Sequence, residues 1–153
     1  MTTTDSDSQA TALPTSANER KRHVCPWWVG YLLVSSLRRL FESPERLLAA
    51  DIRPGGRVLD FGCAMGYFSI PAARAVGPDG RVICLDIEPR ALATVRRRAA
   101  RAEVADRVET VLVDPALPWV NGLAGRFDLA LAMHVMHEVP DVGAGFEQLA
   151  RAL

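Results

Sequence analysis

Four short apolar runs, separated by segments long enough for a helix, constrain the fold of this chain more than any other feature. The runs cover residues 58–61, 82–85, 108–113 and 127–132. Because the connections between the first three runs can hold a crossover helix, these runs predict parallel strands. The crossover helices are expected over residues 68–76 and 89–102. The pattern predicts an α/β fold with an open parallel sheet flanked by helices.

The first 52 residues have a different character. Residues 1–22 are rich in Thr, Ser and Asp, offer little apolar surface to bury, and are predicted to form a disordered tail. Residues 23–52 are predicted to form a helical lead-in, in which Ser43 and Pro44 mark the start of a short helix. The aromatic residues Trp27, Trp28 and Tyr31 of this lead-in are expected to pack in the core, with a cap over a ligand as the alternative. Residues 53–153 then form the α/β domain.

Composition and charge narrow the class of ligand. Eighteen basic residues balance eighteen acidic ones, so no nucleic-acid partner is predicted. No apolar stretch approaches the roughly 20 residues that span a bilayer, and no signal peptide is recognisable, so a cytoplasmic protein is expected. The cysteines Cys25, Cys63 and Cys84 lack the spacing of a disulfide framework or zinc site. Cys63 and Cys84 are expected to be small buried residues.

Carboxylates follow three of the predicted strands, at the sheet edge where open parallel sheets bind ligands. Asp60 lies at the end of the first strand, Asp86 at the end of the second and Asp114 after the third. Gly62 and Gly66 let a ligand approach the backbone closely. Asp86 is placed to accept from both ribose hydroxyls, Asp60 to hold an ammonium group and Asp114 to accept from an adenine amino group. The pattern favours a cationic adenosyl ligand over a phosphate ligand.

The segments VLDFGCAMGYFSIPAA, VICLDIEPRAL, VLVDPALPW and FDLALAMHVMHEVPD resemble, in order and spacing, the successive cofactor motifs of class I S-adenosylmethionine-dependent methyltransferases. The resemblance covers about residues 53–141. It implies a Rossmann-like fold, S-adenosylmethionine as cofactor and a small-molecule methyl acceptor. It also implies this set of cofactor-binding residues: Asp60, Gly62, Ala64, Gly66, Asp86, Ile87, Asp114 and Pro115. Ala64 stands where the family has the middle glycine of its loop, so its methyl group is expected to crowd the cofactor or to be tolerated.

Structural readings of the same residues remain open. The loop Gly62–Gly66 also fits a strand-to-helix turn without a ligand. Asp86 also fits a helix N-cap ahead of Pro89, and Asp114 fits a turn residue. Asp128, at the start of its strand, is interpreted as structural.

His134 and His137 have the i, i+3 spacing that could aim two imidazoles at one ligand. No third and fourth ligands are apparent, and the order differs from that of a zinc protease helix, so no metal site is predicted. The catalytic residue is unknown, with His137 as a candidate base or substrate-side residue. The arginines at 96, 97, 98 and 101 are interpreted as the solvated face of their helix.

Two other functions are compatible with parts of the sequence. An NAD-binding oxidoreductase would place glycines at positions 62, 64 and 67, where this chain has Gly62, Ala64 and Tyr67. The second rival is a truncated, non-catalytic protein, since the resemblance implies seven strands and only about four are present before Leu153. In that case the fourth strand would expose an apolar edge, and self-association through it is expected.

Overall fold

The computed structural model describes residues 43–114, 118 and 122–153. The strands are β1 (Arg57–Phe61), β2 (Arg81–Asp86), β3 (Val108–Leu112) and β4 (Leu129–Leu131). The helices are α1 (Pro44–Leu48), α2 (Ser69–Ala75), α3 (Pro89–Arg101) and α4 (Val142–Ala152), with 3-10 turns at Ala105–Arg107 and Met136–Glu138. Each strand and helix predicted within these residues is present, although β4 is shorter than its apolar run. The predictions for the disordered tail, for Cys25 and for the aromatic lead-in residues lie outside the described residues.

The four strands form one parallel sheet in the order β3-β2-β1-β4. Val58 of β1 lies opposite Val82 of β2 and Leu129 of β4. Asp128 helps to set this register, because its Oδ2 accepts the Arg57 N–H at 2.8 Å. The structural interpretation of Asp128 is therefore confirmed, and so is the predicted α/β fold.

Successive side chains of the strands point to opposite faces of the sheet and pack into two separate hydrophobic cores. One core holds Val58, Val82 and Cys84 together with residues of α1, α2 and α3. The other holds Leu59, Ile83 and Leu85 together with α4. β1 and β2 are buried on both faces, which explains why these two strands are continuous apolar runs, whereas β3 has no fully buried residue.

The β4 side of the sheet differs from the expected exposed apolar edge. Leu131 is buried and Leu129 and Ala130 are half-buried, because their side chains pack into the two cores. What stays open, among the described strands, is the backbone edge of β4 facing away from β1. The exposed apolar side chains lie instead on α4 and at its end: Val142 (44% exposed), Phe146 (56%) and Leu153 (57%).

Within the described ranges, no helix combines the length and the hydropathy needed to cross a bilayer.

Candidate functional site

The loop between β1 and α2 is built around two glycines. Gly62 has a φ of +69° and Gly66 a φ of +75°, a backbone region that disfavours side chains. A Cβ atom on Gly62 would lie 2.2 Å from Cγ2 of Val135, and one on Gly66 would lie 3.2 Å from Cγ2 of Val95. Gly62 is therefore required both by its backbone conformation and by the close approach of Val135.

The N–H groups of this loop are largely used inside the protein. Gly62 and Cys63 both donate to the Leu85 carbonyl (2.9 and 3.1 Å), Gly66 donates to the Cys63 carbonyl (2.9 Å), and Ala64 donates to Oδ2 of Asp86 (2.8 Å). A phosphate-binding loop needs such groups directed at its ligand. These four N–H groups are thus bonded to the protein. The charged groups at this edge of the sheet are the carboxylates of Asp60 and Asp86.

Ala64 occupies the left-handed region with a φ of +47°. Its side chain is exposed, and its N–H is fixed by Asp86. The left-handed region costs a residue with a Cβ about 1–2 kcal/mol. The position therefore has the backbone conformation of a glycine although the residue is alanine.

Asp60 is the buried acidic group of the site, with 2% of its surface exposed. Its Oδ2 accepts a hydrogen bond of 2.5 Å from the Ser69 hydroxyl. Burial raises the pKa of Asp60 from 3.8 to about 6; the Ser69 bond opposes this rise and the Asp86 charge adds to it. Asp60 is therefore a carboxyl group that gains from a cation bound nearby.

Asp86 joins the ends of β1 and β2. Besides the Ala64 N–H, it accepts the Glu88 N–H on Oδ1 at 2.9 Å. Burial raises the pKa of Asp86, and its backbone hydrogen bonds oppose that rise. A carboxylate has about four acceptor sites, so Asp86 retains capacity for a further donor.

Asp86 is not the N-cap of α3. The N-cap is Glu88, whose Oε1 accepts the Arg90 N–H at 3.0 Å. The N-cap alternative for Asp86 is therefore wrong. The Asx-type bond from Glu88 N–H instead holds the Asp86 carboxylate at the strand end.

The remaining residues of the predicted cofactor set border this loop. Ile87 follows Asp86 and is 41% exposed. Asp114 is exposed and lies beyond β3, where the Val113 N–H donates to the Asp86 carbonyl at 3.0 Å. The structure thus brings Asp60, Asp86 and Asp114 to one edge of the sheet. Pro115 lies outside the described residues.

The two histidines after β4 are exposed. His134 has a φ of +61°, and His137 lies in the 3-10 turn with its Nε2 3.7 Å from Oε1 of Glu138. In residues 43–114, 118 and 122–153, no three His, Cys, Asp or Glu side chains are grouped to hold a metal ion.

Cys63 and Cys84 are both buried, as expected, and both are free thiols. A hydrogen bond between the two thiols, burial and the nearby carboxylates of Asp60 and Asp86 all raise the pKa of Cys63. The Cys63 thiol is therefore neutral and poorly nucleophilic.

Three residues that support the site were not predicted to do so, and Arg98, interpreted as part of the solvated face of its helix, is instead half-buried. Ser69 bonds Asp60, Val135 packs on Gly62, and Nη1 of Arg98 donates to the Met65 carbonyl. Ser69 could have been noticed as a hydroxyl at the start of the helix that follows the loop. Val135 and Arg98 are brought to the loop by tertiary packing alone, and no local pattern marks them.

A parallel sheet with a glycine loop after β1 and carboxylates beyond β1, β2 and β3 defines the Rossmann-like class of nucleoside-binding domains. Residues 58–153 match the family model described as "Methyltransferase domain". The chain therefore belongs to the methyltransferase domain family, that of the class I S-adenosylmethionine-dependent enzymes.

Individual relatives agree with this family. The chain is 41% identical over 118 residues to nocamycin O-methyltransferase of Saccharothrix syringae, covering 71% of this chain and 38% of that protein. It is 46% identical over 84 residues to catechol O-methyltransferase of Mycobacterium tuberculosis, covering 54% of this chain and 37% of that protein. The alignments thus span less than two fifths of either relative.

A solved structure supports the fold. The crystal structure of a SAM-dependent methyltransferase from Aquifex aeolicus superposes with a TM-score of 0.72 at 20% identity, covering 82% of this chain and 66% of that one. At this identity the likeness concerns the fold.

Proposed function

We propose that this chain binds S-adenosylmethionine at the edge formed by Asp60, Asp86 and Asp114, and that it belongs to an enzyme that methylates a small molecule. The family supports the cofactor, and the names of the relatives support a small-molecule acceptor. The single observation that carries the proposal is the hydrogen bonding of the glycine loop. Four amide N–H groups of residues 62–66 are bonded to the protein, while the carboxylates of Asp60 and Asp86 lie at the ends of β1 and β2.

This arrangement favours a sulfonium nucleoside over a dinucleotide. A pyrophosphate would need N–H donors, and four of those in residues 62–66 already donate to protein acceptors. A cation suits Asp60, because ionising this buried carboxyl group in its absence is unfavourable. The loop thus supports S-adenosylmethionine in preference to NAD.

The proposed roles follow from the positions of the acceptors. Asp60 holds the ammonium group, Asp86 accepts from the ribose hydroxyls, and Asp114 with Pro115 borders the adenine. Ile87, largely exposed beside Asp86, supplies an apolar surface for the nucleoside. The cofactor supplies an activated methyl group, so the protein's task is to align the acceptor and exclude water.

The acceptor atom is proposed to be a hydroxyl oxygen, since both relatives named above are O-methyltransferases. A hydroxyl group must lose its proton during transfer, and an imidazole is a suitable general base. His137 is the candidate for this base, with the Glu138 carboxylate beside its ring.

Catechol is a suitable probe acceptor for testing this role. Replacing His137 with Ala should lower the rate of methyl transfer to catechol about 100-fold. Unchanged turnover would exclude His137 as the base. Cofactor binding without any turnover by the unaltered chain would favour the non-catalytic alternative.

Calorimetric titration with S-adenosylmethionine tests the cofactor site. Asp86→Ala should weaken binding about 100-fold, because it removes two charge-assisted hydrogen bonds to the ribose. Asp86→Asn, which keeps an acceptor oxygen, should cost about tenfold. The control is Asp79→Ala, which removes an exposed carboxylate from the turn before β2 and should leave affinity unchanged.

Two results would overturn the cofactor proposal. One is equal affinity of folded Asp86→Ala and the unaltered protein for S-adenosylmethionine. The other is tight binding of NAD together with no binding of S-adenosylmethionine.

We also propose that the chain self-associates along the open edge of β4. Among the described strands, the backbone edge of β4 facing away from β1 is unpaired. Val142, Phe146 and Leu153 fall on one helical face of the α4 segment, and clustered apolar exposure of this kind supports an interaction surface. In sedimentation velocity, Phe146→Glu should shift the chain toward monomer. Leu47→Glu, which alters an apolar side chain on α1 that is 50% exposed, should not. An unaltered chain that stays monomeric at all concentrations would contradict the proposal.

A further inference from the structure

A cavity of about 300 Å³ lies between α2 and α3, outside the carboxylate edge. Its lining residues are Ile70, Arg74, Arg98, Arg101 and Ala102. Three of these five side chains are guanidinium groups, and in the described part of the chain no carboxylate lines the cavity. Positive charge is therefore concentrated in one concave place on a chain whose net charge is zero.

Two of the arginines have donors to offer. Across the described residues, the side chains of Arg74 and Arg101 make no hydrogen bond or ion pair. Both lie in the last turn of their helices, where a cation interacts favourably with the helix dipole. The helix dipole explains why an arginine is favourable at the end of each helix. It does not explain why Arg74 and Arg101 line the same cavity.

The third arginine is held in place. Nη1 of Arg98 donates to the carbonyl of Met65, and the residue is half-buried. A guanidinium group has five N–H donors in a fixed plane, and its planar shape matches an oxyanion. The bond to Met65 therefore orients the guanidinium group before any ligand arrives.

A fourth guanidinium lies close to this wall of α2. Nη1 of Arg107 is 3.5 Å from the carbonyl of Ala73, the neighbour of Arg74. The buried Nε of Arg107 has no hydrogen-bond partner, and the Asp106 carboxylate is 3.7 Å away from it. Arg107 thus adds a further guanidinium group beside α2, balanced by the neighbouring Asp106 carboxylate.

We propose that the cavity between α2 and α3 is a binding site for a phosphate-class oxyanion, either free phosphate or the phosphate group of a small metabolite. Three guanidinium groups around one cavity repel one another, and a multivalent oxyanion converts this repulsion into charge-assisted hydrogen bonds. Arg74 and Arg101 are the ligand-contacting residues, and Arg98 links the site to the β1–α2 loop through Met65. The proposal rests on residues separate from those of the proposed cofactor site.

The test uses the 153-residue chain and inorganic pyrophosphate as the probe, titrated by calorimetry and by amide NMR at constant ionic strength. We expect saturable binding with one ion per chain, with amide shifts centred on residues 70–74 and 98–102. Arg74→Ala and Arg101→Ala should each weaken binding about tenfold. Arg53→Ala, which removes an exposed arginine from the turn before β1, should change affinity by less than about twofold.

The controls separate a site from a general charge effect. Sodium chloride at the same ionic strength should give no saturable shifts in residues 70–74 and 98–102. The proposal fails if pyrophosphate does not saturate, or if Arg53→Ala weakens binding as much as Arg74→Ala. Because Arg74 and Arg101 are exposed, both variants should keep the thermal unfolding profile of the unaltered chain. Inorganic phosphate and a phosphomonoester, titrated in parallel, then distinguish a free ion from a phosphorylated metabolite.

Discussion

The ends of β1 and β2 and the β4 side of the sheet are built on different principles. At the ends of β1 and β2, polar groups are hydrogen-bonded within the protein: the buried Asp60 with Ser69, and the half-buried Asp86 with the N–H groups of Ala64 and Glu88. On the β4 side, a strand of three residues pairs with β1 and the neighbouring helix α4 exposes apolar side chains.

The ends of β1 and β2 therefore already have their polar groups paired within the chain, whereas the β4 side can still gain contacts with a partner. The loop after β1 has its conformation dictated by glycines, close packing and internal hydrogen bonds, so changes there should be costly. The α4 surface has few such constraints, so changes there should affect association more than stability.

The largest expected effect is that of Gly62→Ala. A Cβ there would lie 2.2 Å from Val135 and would occupy a φ of +69°, so we expect a loss of about 4 kcal/mol in the free energy of unfolding. Gly55→Ala is the matched control, because Gly55 has a φ of +79° but no atom within 4 Å of the added Cβ. That variant should lose about 1 kcal/mol. Urea denaturation measures both.

The Val135 contact can be isolated from the backbone term. The double variant Gly62→Ala with Val135→Gly should recover much of the loss, because the Cβ, Cγ1 and Cγ2 atoms of Val135, which lie 2.6, 3.1 and 2.2 Å from the added Cβ, are all removed while the φ of position 62 remains. If the double variant is no more stable than Gly62→Ala alone, the close approach of Val135 is not what excludes a side chain at position 62.

The second prediction concerns the pH dependence of stability. Asp60 has its pKa raised from 3.8 to about 6 in the folded chain, so its contribution to stability is full below pH 3.8 and is lost as the pH rises through 6. The difference corresponds to about 3 kcal/mol. Asp60→Asn should therefore be more stable than the unaltered chain at pH 7, with a smaller difference near pH 4.

Unfolding by urea at several values between pH 4 and pH 7.5 measures this effect. Asp79→Asn serves as the control, because Asp79 is exposed. A parallel pH profile for the Asp60→Asn and unaltered chains would show that Asp60 ionises without a folding cost.

A smaller effect is expected for Ala64→Gly. Glycine adopts a φ of +47° without the Cβ penalty, although it also gains entropy in the unfolded chain, so the net gain in stability should be about 1 kcal/mol or less. Thermal unfolding measures the gain. A decrease would mean that the exposed methyl group of Ala64 makes contacts that stabilise the loop.

The smallest effect on stability is expected for Phe146→Ser. More than half of this side chain is exposed, so its loss should change the free energy of unfolding by about 0.5 kcal/mol or less at low protein concentration. A loss of several kcal/mol would show that α4 depends on Phe146 for its packing and would weaken the contrast between the two regions.

Much of the fold could be predicted because its signals are local. The runs at 58–61 and 82–85 are continuous and apolar, as strands buried on both faces must be, and the segments between them have helical length. The strand-end position of Asp60 and Asp86 followed directly from the strands.

What could not be predicted depends on contacts between distant residues. The sequence offered Asp86 as a possible N-cap of α3, whereas the structure has Glu88 in that position. The packing of Val135 on Gly62 joins the segments that follow β4 and β1, which no periodicity connects. β4 lies at the edge of the described sheet as predicted, but the degree to which Leu129 and Leu131 are covered could not be predicted, because they pack against residues distant in sequence.

The central position of β1 has a consequence for the order of folding. β1 and β2 are joined through α2, so their pairing closes a short segment, whereas the bond from Arg57 to Asp128 closes 71 residues. Closing the longer segment costs more chain entropy and yields a pairing of three residues. We therefore expect β4 to join the sheet last as the chain collapses, and Val135 to reach Gly62 only then, so that the loop acquires its final shape in the closing step of folding.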